Sequence, residues 1–156
     1  IVSNSSKNWG AVQESAVTYG LLLHEMLSKI ITFEDVDNVI QSYVLTGDIS
    51  NVEVVEIRKL LLKVVAHPEL AEYFKNTYSV YTEREILNDQ KRVLIPDRLL
   101  FKGKQVIVVD YKTGVRTAAH QDQINSYALV LEEMGYDVLK KLVIYIGDDI
   151  DIELFT

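Results

Sequence analysis

The stretch VLIPDRLLFKGKQVIVVDYKTG, Val93 to Gly114, decides how the chain folds. Its two halves are rich in β-branched and aromatic residues and are separated by Gly103-Lys104, the composition of two strands joined by a tight hairpin turn. With the turn placed there, Lys102 faces Gln105, and counting back sets Asp97 directly opposite Asp110. Opposed residues lie about 4.5–5.5 Å apart at Cβ. Two carboxylates that close repel unless one is protonated or a cation bridges them. Lys112, two residues beyond Asp110, shares the same face of its strand. A lone strand carboxylate is ordinarily a solvated surface group. These two instead interrupt the apolar runs Leu94-Ile95-Pro96 and Val106-Ile107-Val108-Val109, and an acid at the end of a buried strand needs a partner.

Working outward, Tyr78–Leu87 reads as a further strand, with Asn88-Asp89 as the turn into Val93–Phe101. Beyond Gly114 the pattern becomes helical from Ala118 to Met134 and stops at Gly135. A strand Leu139–Ile146, the turn Gly147-Asp148-Asp149 and an edge strand Ile150–Phe155 follow. The acidic tail Asp148-Asp149-x-Asp151-x-Glu153 lacks the spacing and the glycine of a calcium loop and reads as a charged turn with a protected edge. The first half, about residues 8–75, is helical. Apolar residues recur at helical spacing from Ala11 to Ile31 (Val12, Ala16, Tyr19, Leu23, Met26, Leu27, Ile30). Thr32 with Asp35, and Ser50 with Glu53, form capping patterns for two more helices, ending near Leu45 and Ala66, and Pro68 opens a short one through Phe74. The expectation is one α/β (α+β) domain over residues 1–156, a small mixed sheet flanked by helices.

The composition, 48% hydrophobic and 25% charged over 156 residues, is that of a globular domain. With no cysteine there is no disulfide, no thiolate zinc site and no iron–sulfur cluster, which suits a cytoplasmic protein. No apolar run approaches the roughly 20 residues of a membrane span. The first residue is Ile1, and the chain reads as a piece of something longer. No G-x-x-x-x-G-K-[ST] sequence is present, so this stretch carries no P-loop motor. Sixteen basic against 23 acidic residues give a net charge of −7. That sign opposes phosphate binding, unless a divalent metal neutralises an acid cluster or a partner domain holds the nucleic acid.

Other residues are open to two readings each. His24 lies among Leu22, Leu23, Met26 and Leu27, the surroundings of a core histidine as much as of a ligand. Glu83 and Glu85 alternate onto one strand face, and either can pair with Arg84 or Arg92. Gln123 and Tyr127 share a helix face with His120, a pattern that also describes a solvated stripe.

Taken in order, five motifs resemble one family. Pro96-Asp97 and, after twelve residues, Asp110-Tyr111-Lys112 are similar to the signature of the PD-(D/E)XK nucleases. Val108-Val109-Asp110-Tyr111-Lys112-Thr113-Gly114 resembles the VDYKTG block of their RecB-like branch. Gly20-Leu21-Leu22-Leu23-His24 resembles its G-x-x-x-H helix, Thr82-Glu83-Arg84-Glu85 the strand bearing its glutamate, and Gln123…Tyr127 its Q-x-x-x-Y helix. The resemblance spans Gly20 to Ile146. It implies a restriction-endonuclease-like α-β-β-β-α-β core, with His24, Asp97, Asp110 and the Tyr111 carbonyl holding Mg²⁺ (or Mn²⁺). It further implies Lys112 as the catalytic lysine, Glu83 as a supporting acid, and Gln123 and Tyr127 facing the DNA or bracing the site. The activity implied is DNA phosphodiester hydrolysis in a helicase–nuclease, on a single strand delivered by a helicase part that alone would use ATP. Ile95 departs from the pattern, since relatives often carry glycine or arginine before the Pro-Asp pair.

Overall fold

The computed structural model describes residues 19–156. Helix α1 covers residues 19–29. The earlier part of the predicted helix, including Val12 and Ala16, lies outside the described residues. Helices α2 (Asp35–Thr46) and α3 (Val54–Val65) follow, then a 3₁₀ turn, Ala71–Phe74. The acidic half of each predicted capping pattern forms, and neither helix has a hydrogen bond from a cap side chain. The Asp35 carboxylate accepts the Thr32 N–H at 2.8 Å, and Glu53 accepts that of Ser50 at 2.7 Å, which satisfies amide groups that a helix start leaves without partners. Gly47 ends α2 in the left-handed conformation, φ 81°.

The strands are β1 (Ser79–Thr82), β2 (Ile86–Leu87), β3 (Val93–Leu94), β4 (Arg98–Lys102) and β5 (Gln105–Lys112). Helix α4 (Ala118–Glu133) and strands β6 (Asp137–Ile146) and β7 (Ile150–Phe155) complete the chain. Five strands form one mixed sheet in the order β1-β4-β5-β6-β7, and β2 and β3 make a separate hairpin. All pairings are antiparallel except β5 with β6, which run parallel and are linked through α4. The fold is therefore the mixed α/β arrangement expected.

Two of the predicted strands are broken in the middle. Tyr78–Leu87 divides after Thr82, where Glu83 takes a left-handed φ of 49°. Val93–Phe101 divides at Ile95-Pro96-Asp97, because proline has no N–H to give a ladder. The pieces between the breaks swing out as the β2–β3 hairpin, with residues 88–92 as its loop.

The sheet is covered on both faces. Leu23, Met26, Leu27 and Ile30 of α1, with α2 and α3, pack on Leu100, Ile107, Val109, Tyr111, Leu142 and Ile144. Ile124, Tyr127, Val130 and Leu131 of α4 pack on Leu99, Val106, Val108, Val143 and Tyr145 on the opposite face. Alternation along β5 thus sends Val109 and Tyr111 to the helical side and Val108, Asp110 and Lys112 to the α4 side.

Candidate active site

The register predicted from the turn is the one observed. Lys102 pairs with Gln105 and Arg98 with Val109, where the β4–β5 pairing ends, and the same count carried one residue further sets Asp97 against Asp110. Gly103, at φ 62°, supplies the positive φ that a two-residue hairpin turn needs. The pair closing such a turn is hydrogen-bonded, and pairs alternate from there. Asp97 and Asp110 therefore fall on a non-hydrogen-bonded pair, where side chains approach most closely.

The same count places Pro96 opposite Tyr111 at a hydrogen-bonded position, where proline has no N–H to give the Tyr111 carbonyl. The Tyr111 N–H for its part donates to Asp97 Oδ2 at 2.7 Å. Because N–H and C=O of one strand residue point to the same side, the Tyr111 carbonyl also faces the Asp97 side, where the ladder has no donor for it. The break at Pro96 thus turns one carboxylate and one backbone carbonyl towards the same place.

Asp110 is 2% exposed. Burial, and next the charge of Asp97, push its carboxyl up from 3.8 to about 6, and the nearby Lys112 ammonium only partly offsets this. Lys112 Nζ sits 2.8 Å from Asp110 Oδ2 but outside hydrogen-bonding alignment, so Oδ2 is buried without a hydrogen bond. The ammonium instead donates to Gln123 Oε1 at 2.7 Å. From the other side, His24 Nδ1 approaches Asp97 Oδ1 at 3.5 Å. The hydrogen bond to Asp97 raises the histidine above its usual value against the opposing effect of burial. The His24 ring also meets Tyr111 edge-on, centroids 6.1 Å apart.

The structure therefore brings together His24, Asp97, Asp110, Tyr111, Lys112 and Gln123 at the carboxyl end of β5, where open α/β sheets place their ligand crevices. Tyr127 is buried beneath them. Its phenol is pushed up to about 12 by burial and then by the Asp110 and Asp97 charges, so it stays a neutral donor. His120 leaves the expected stripe and pairs with the Tyr145 hydroxyl at 3.0 Å. Glu83 lies in no strand. Its N–H donates to Asp97 O at 3.1 Å, but its carboxylate is exposed and, among the described residues, forms no ion pair. Glu85 is exposed beside the β2–β3 hairpin.

Two residues outside the ligand set hold the site together, Arg98, which no motif marks, and Gly20 of the G-x-x-x-H pattern. Arg98 is fully buried on the helical face. It donates to the carbonyls of Ile30 (2.6 Å), Ile31 (2.7 Å) and Tyr73 (3.1 Å), and its guanidinium lies 4.3 Å over the Phe74 ring. It thus ties the end of α1, which carries His24, to the residue after Asp97. The signal in the sequence was a charge at a core-facing strand position. Gly20 lets α1 approach the end of β5, since a Cβ there would meet Thr113 Oγ1 at 2.6 Å.

As a metal seat, the donors are of the right kind. Carboxylate oxygens, a backbone carbonyl and an imidazole suit a hard divalent cation, and the buried, unbonded Asp110 Oδ2 is the atom a cation would satisfy. Their present pairing is with each other. Among the described residues no group of three or more His, Cys, Asp or Glu side chains is arranged to hold a metal ion. Among those residues, too, no helix is long and apolar enough to cross a membrane.

No protein-family profile matches the chain. No curated protein matches it either. Among similar solved structures is one named "Crystal structure of SSO0001", 19% identical with a TM-score of 0.36, matching 74% of this chain. The chain spans 60% of that structure's length.

Proposed function

We propose that the chain is a divalent-metal-dependent phosphodiesterase acting on DNA, of the PD-(D/E)XK type and similar to RecB-like nucleases. One observation carries the reading: at the end of β5 Asp97 holds the Tyr111 N–H and stands near buried Asp110, with Lys112 on Asp110 and His24 on Asp97. Asp97, Asp110, the Tyr111 carbonyl and His24 would hold Mg²⁺ or Mn²⁺. When bound, such an ion neutralises phosphate charge and makes a coordinated water more acidic.

The chain's own groups do the rest. Lys112, fixed between Asp110 and Gln123, orients the attacking water and offsets the negative charge that builds on the phosphate. Water oxygen bonds to phosphorus as the opposite P–O bond breaks, and the leaving oxygen takes up a proton. Arg98 and Gly20 hold α1, and with it His24, against the strand end. The resemblance points to a single strand delivered by an associated ATP-driven helicase, in cytoplasmic DNA repair or recombination, and such a partner would supply the basic contacts that a chain of net charge −7 is short of.

The test is degradation of single-stranded DNA with Mg²⁺ or Mn²⁺. Equal degradation by the wild type and Lys112→Ala sinks the proposal. A second reading, a non-catalytic module that only positions DNA or a partner protein, is favoured by the acids being already countered by His24 and Lys112. It requires that neither metal raises the melting temperature, whereas the nuclease reading requires a rise.

A further inference from the structure

A groove of about 380 Å³ follows the edge of the sheet on the side that carries α4. Tyr81, Leu99 and Phe101 line one side, Met134 and Tyr136 the other, and Arg84 and Glu85 stand together at the rim. Tyr81 pairs with Leu99 and Leu99 with Val108. Opposed residues share a face, so Tyr81 lies on the face of Val108 and, two residues on, of Asp110. Strand spacing and rise put Tyr81 and Asp110 about 12 Å apart at Cα. Between Thr82 and Arg84 the backbone of Glu83 touches Asp97, so one end of the groove opens beside the carboxylates.

The groove is set apart by its aromatic lining, and the charges around it balance, Arg84, Lys91 and Arg92 against Glu83, Glu85 and Asp89. Its rings form a row, Tyr81 and Phe101 at 5.6 Å and Phe101 and Tyr136 at 4.9 Å between centroids. Tyr81 is nevertheless 43% exposed, with the Arg84 guanidinium 5.1 Å over its ring. Lys91 and Arg92, both exposed, stand on the adjoining hairpin loop with Asp89, which leaves that loop one positive charge in excess. Aromatic faces beside cations are how unpaired bases and their phosphates are held. The volume suits a nucleotide or so and excludes a duplex, whose bases are stacked on one another.

We infer that this groove binds single-stranded DNA, an unpaired base stacking against Tyr81 while Arg84 meets the neighbouring phosphate, and so leads the strand to Asp110. The inference rests on the nuclease reading for its direction, but its test does not require cleavage. Binding of a fluorescein-labelled oligodeoxynucleotide is followed by anisotropy in EDTA and low salt. Tyr81→Ala weakens binding about tenfold or more, the loss of one stacked base, and Tyr81→Phe retains it. Arg84→Gln weakens binding and flattens its salt dependence. An iododeoxyuridine-substituted strand photocrosslinks to Tyr81, Phe101 or Tyr136. Any of four results overturns the inference: no binding by the wild type, full affinity in Tyr81→Ala, crosslinks only outside the groove, or equal affinity for a blunt duplex. Unchanged cleavage by Lys112→Ala would refute the catalytic reading while leaving these binding results standing. Cleavage lost in Lys112→Ala with binding intact in Tyr81→Ala would remove the groove and keep the site.

Discussion

Replacing Asp110 by asparagine stabilises the metal-free protein at neutral pH and not in acid. The buried carboxyl is pushed from 3.8 to about 6 by desolvation and by Asp97, against the partial help of Lys112. A group that binds its proton more tightly when folded favours the fold in acid. That advantage is lost as pH rises from the unfolded value through the folded one. Above about pH 6 the ionised carboxylate therefore opposes folding by about 3 kcal/mol, at 1.36 kcal/mol per pH unit. Asparagine has the shape of the protonated acid and never ionises. Asp110→Asn is then more stable than the wild type by up to about 3 kcal/mol at pH 7.5, about 6–12 °C in Tm for a domain of this size. The gap closes below about pH 4. Urea unfolding in EDTA across that range measures it. A gap that does not change with pH, or an asparagine variant less stable at pH 7.5, refutes the electrostatic account of the site. With Mg²⁺ present the ranking should narrow or invert, since a bound cation would add to the counter-charge that Lys112 supplies only in part.

Three other substitutions probe the frame around the acids. Arg98→Leu leaves the Ile30, Ile31 and Tyr73 carbonyls without their donor, at about 1–3 kcal/mol each. Urea unfolding should show a loss comparable to a domain's whole stability, smaller in Arg98→Lys, and a fully stable Arg98→Leu would contradict the clamp. Gly20→Ala drives a methyl into Thr113 Oγ1 and destabilises by about 1–3 kcal/mol, less the helix-propensity gain of about 1 kcal/mol. Adding Thr113→Ala should recover the loss, and failure to do so would place the strain elsewhere. In metal-free buffer the His24 ring titrates above its usual 6.5 because Asp97 bonds it, so this contact contributes stability below pH 6.5 that fades as pH rises through the raised value. NMR of the ring protons should show the midpoint falling in Asp97→Asn, and an unmoved midpoint would mean the pair does not form.

Much of the site was legible in the sequence because it depends on local counting. Two residues at Gly103-Lys104 fix the turn, the turn fixes the register, and the register fixes which carboxylates meet. Helix starts at Thr32 and Ser50 were legible for the same reason, each cap lying within three residues of its partner. Glu83 was not. Whether its carboxylate joins the acids depends on a break in the strand, and residue alternation alone predicts an unbroken one. The left-handed turn at Glu83 brings its backbone, and not its carboxylate, against Asp97.

By itself, then, the sequence determined the order of helices and strands, though not the breaks within two of the strands, and the hairpin register that brings Asp97, Asp110 and Lys112 side by side, all set by bonds between near neighbours. Only the tertiary structure decided what closes around them. His24 reaches Asp97 because Arg98 gathers carbonyls from residues 67, 68 and 25 positions away in the chain, and because Gly20 has no side chain to hold α1 off Thr113. Gln123 meets Lys112 because α4 lies across the face to which Asp110 points. Those contacts depend on how layers pack, and packing is settled by the shapes of side chains distant in sequence, which no local pattern records.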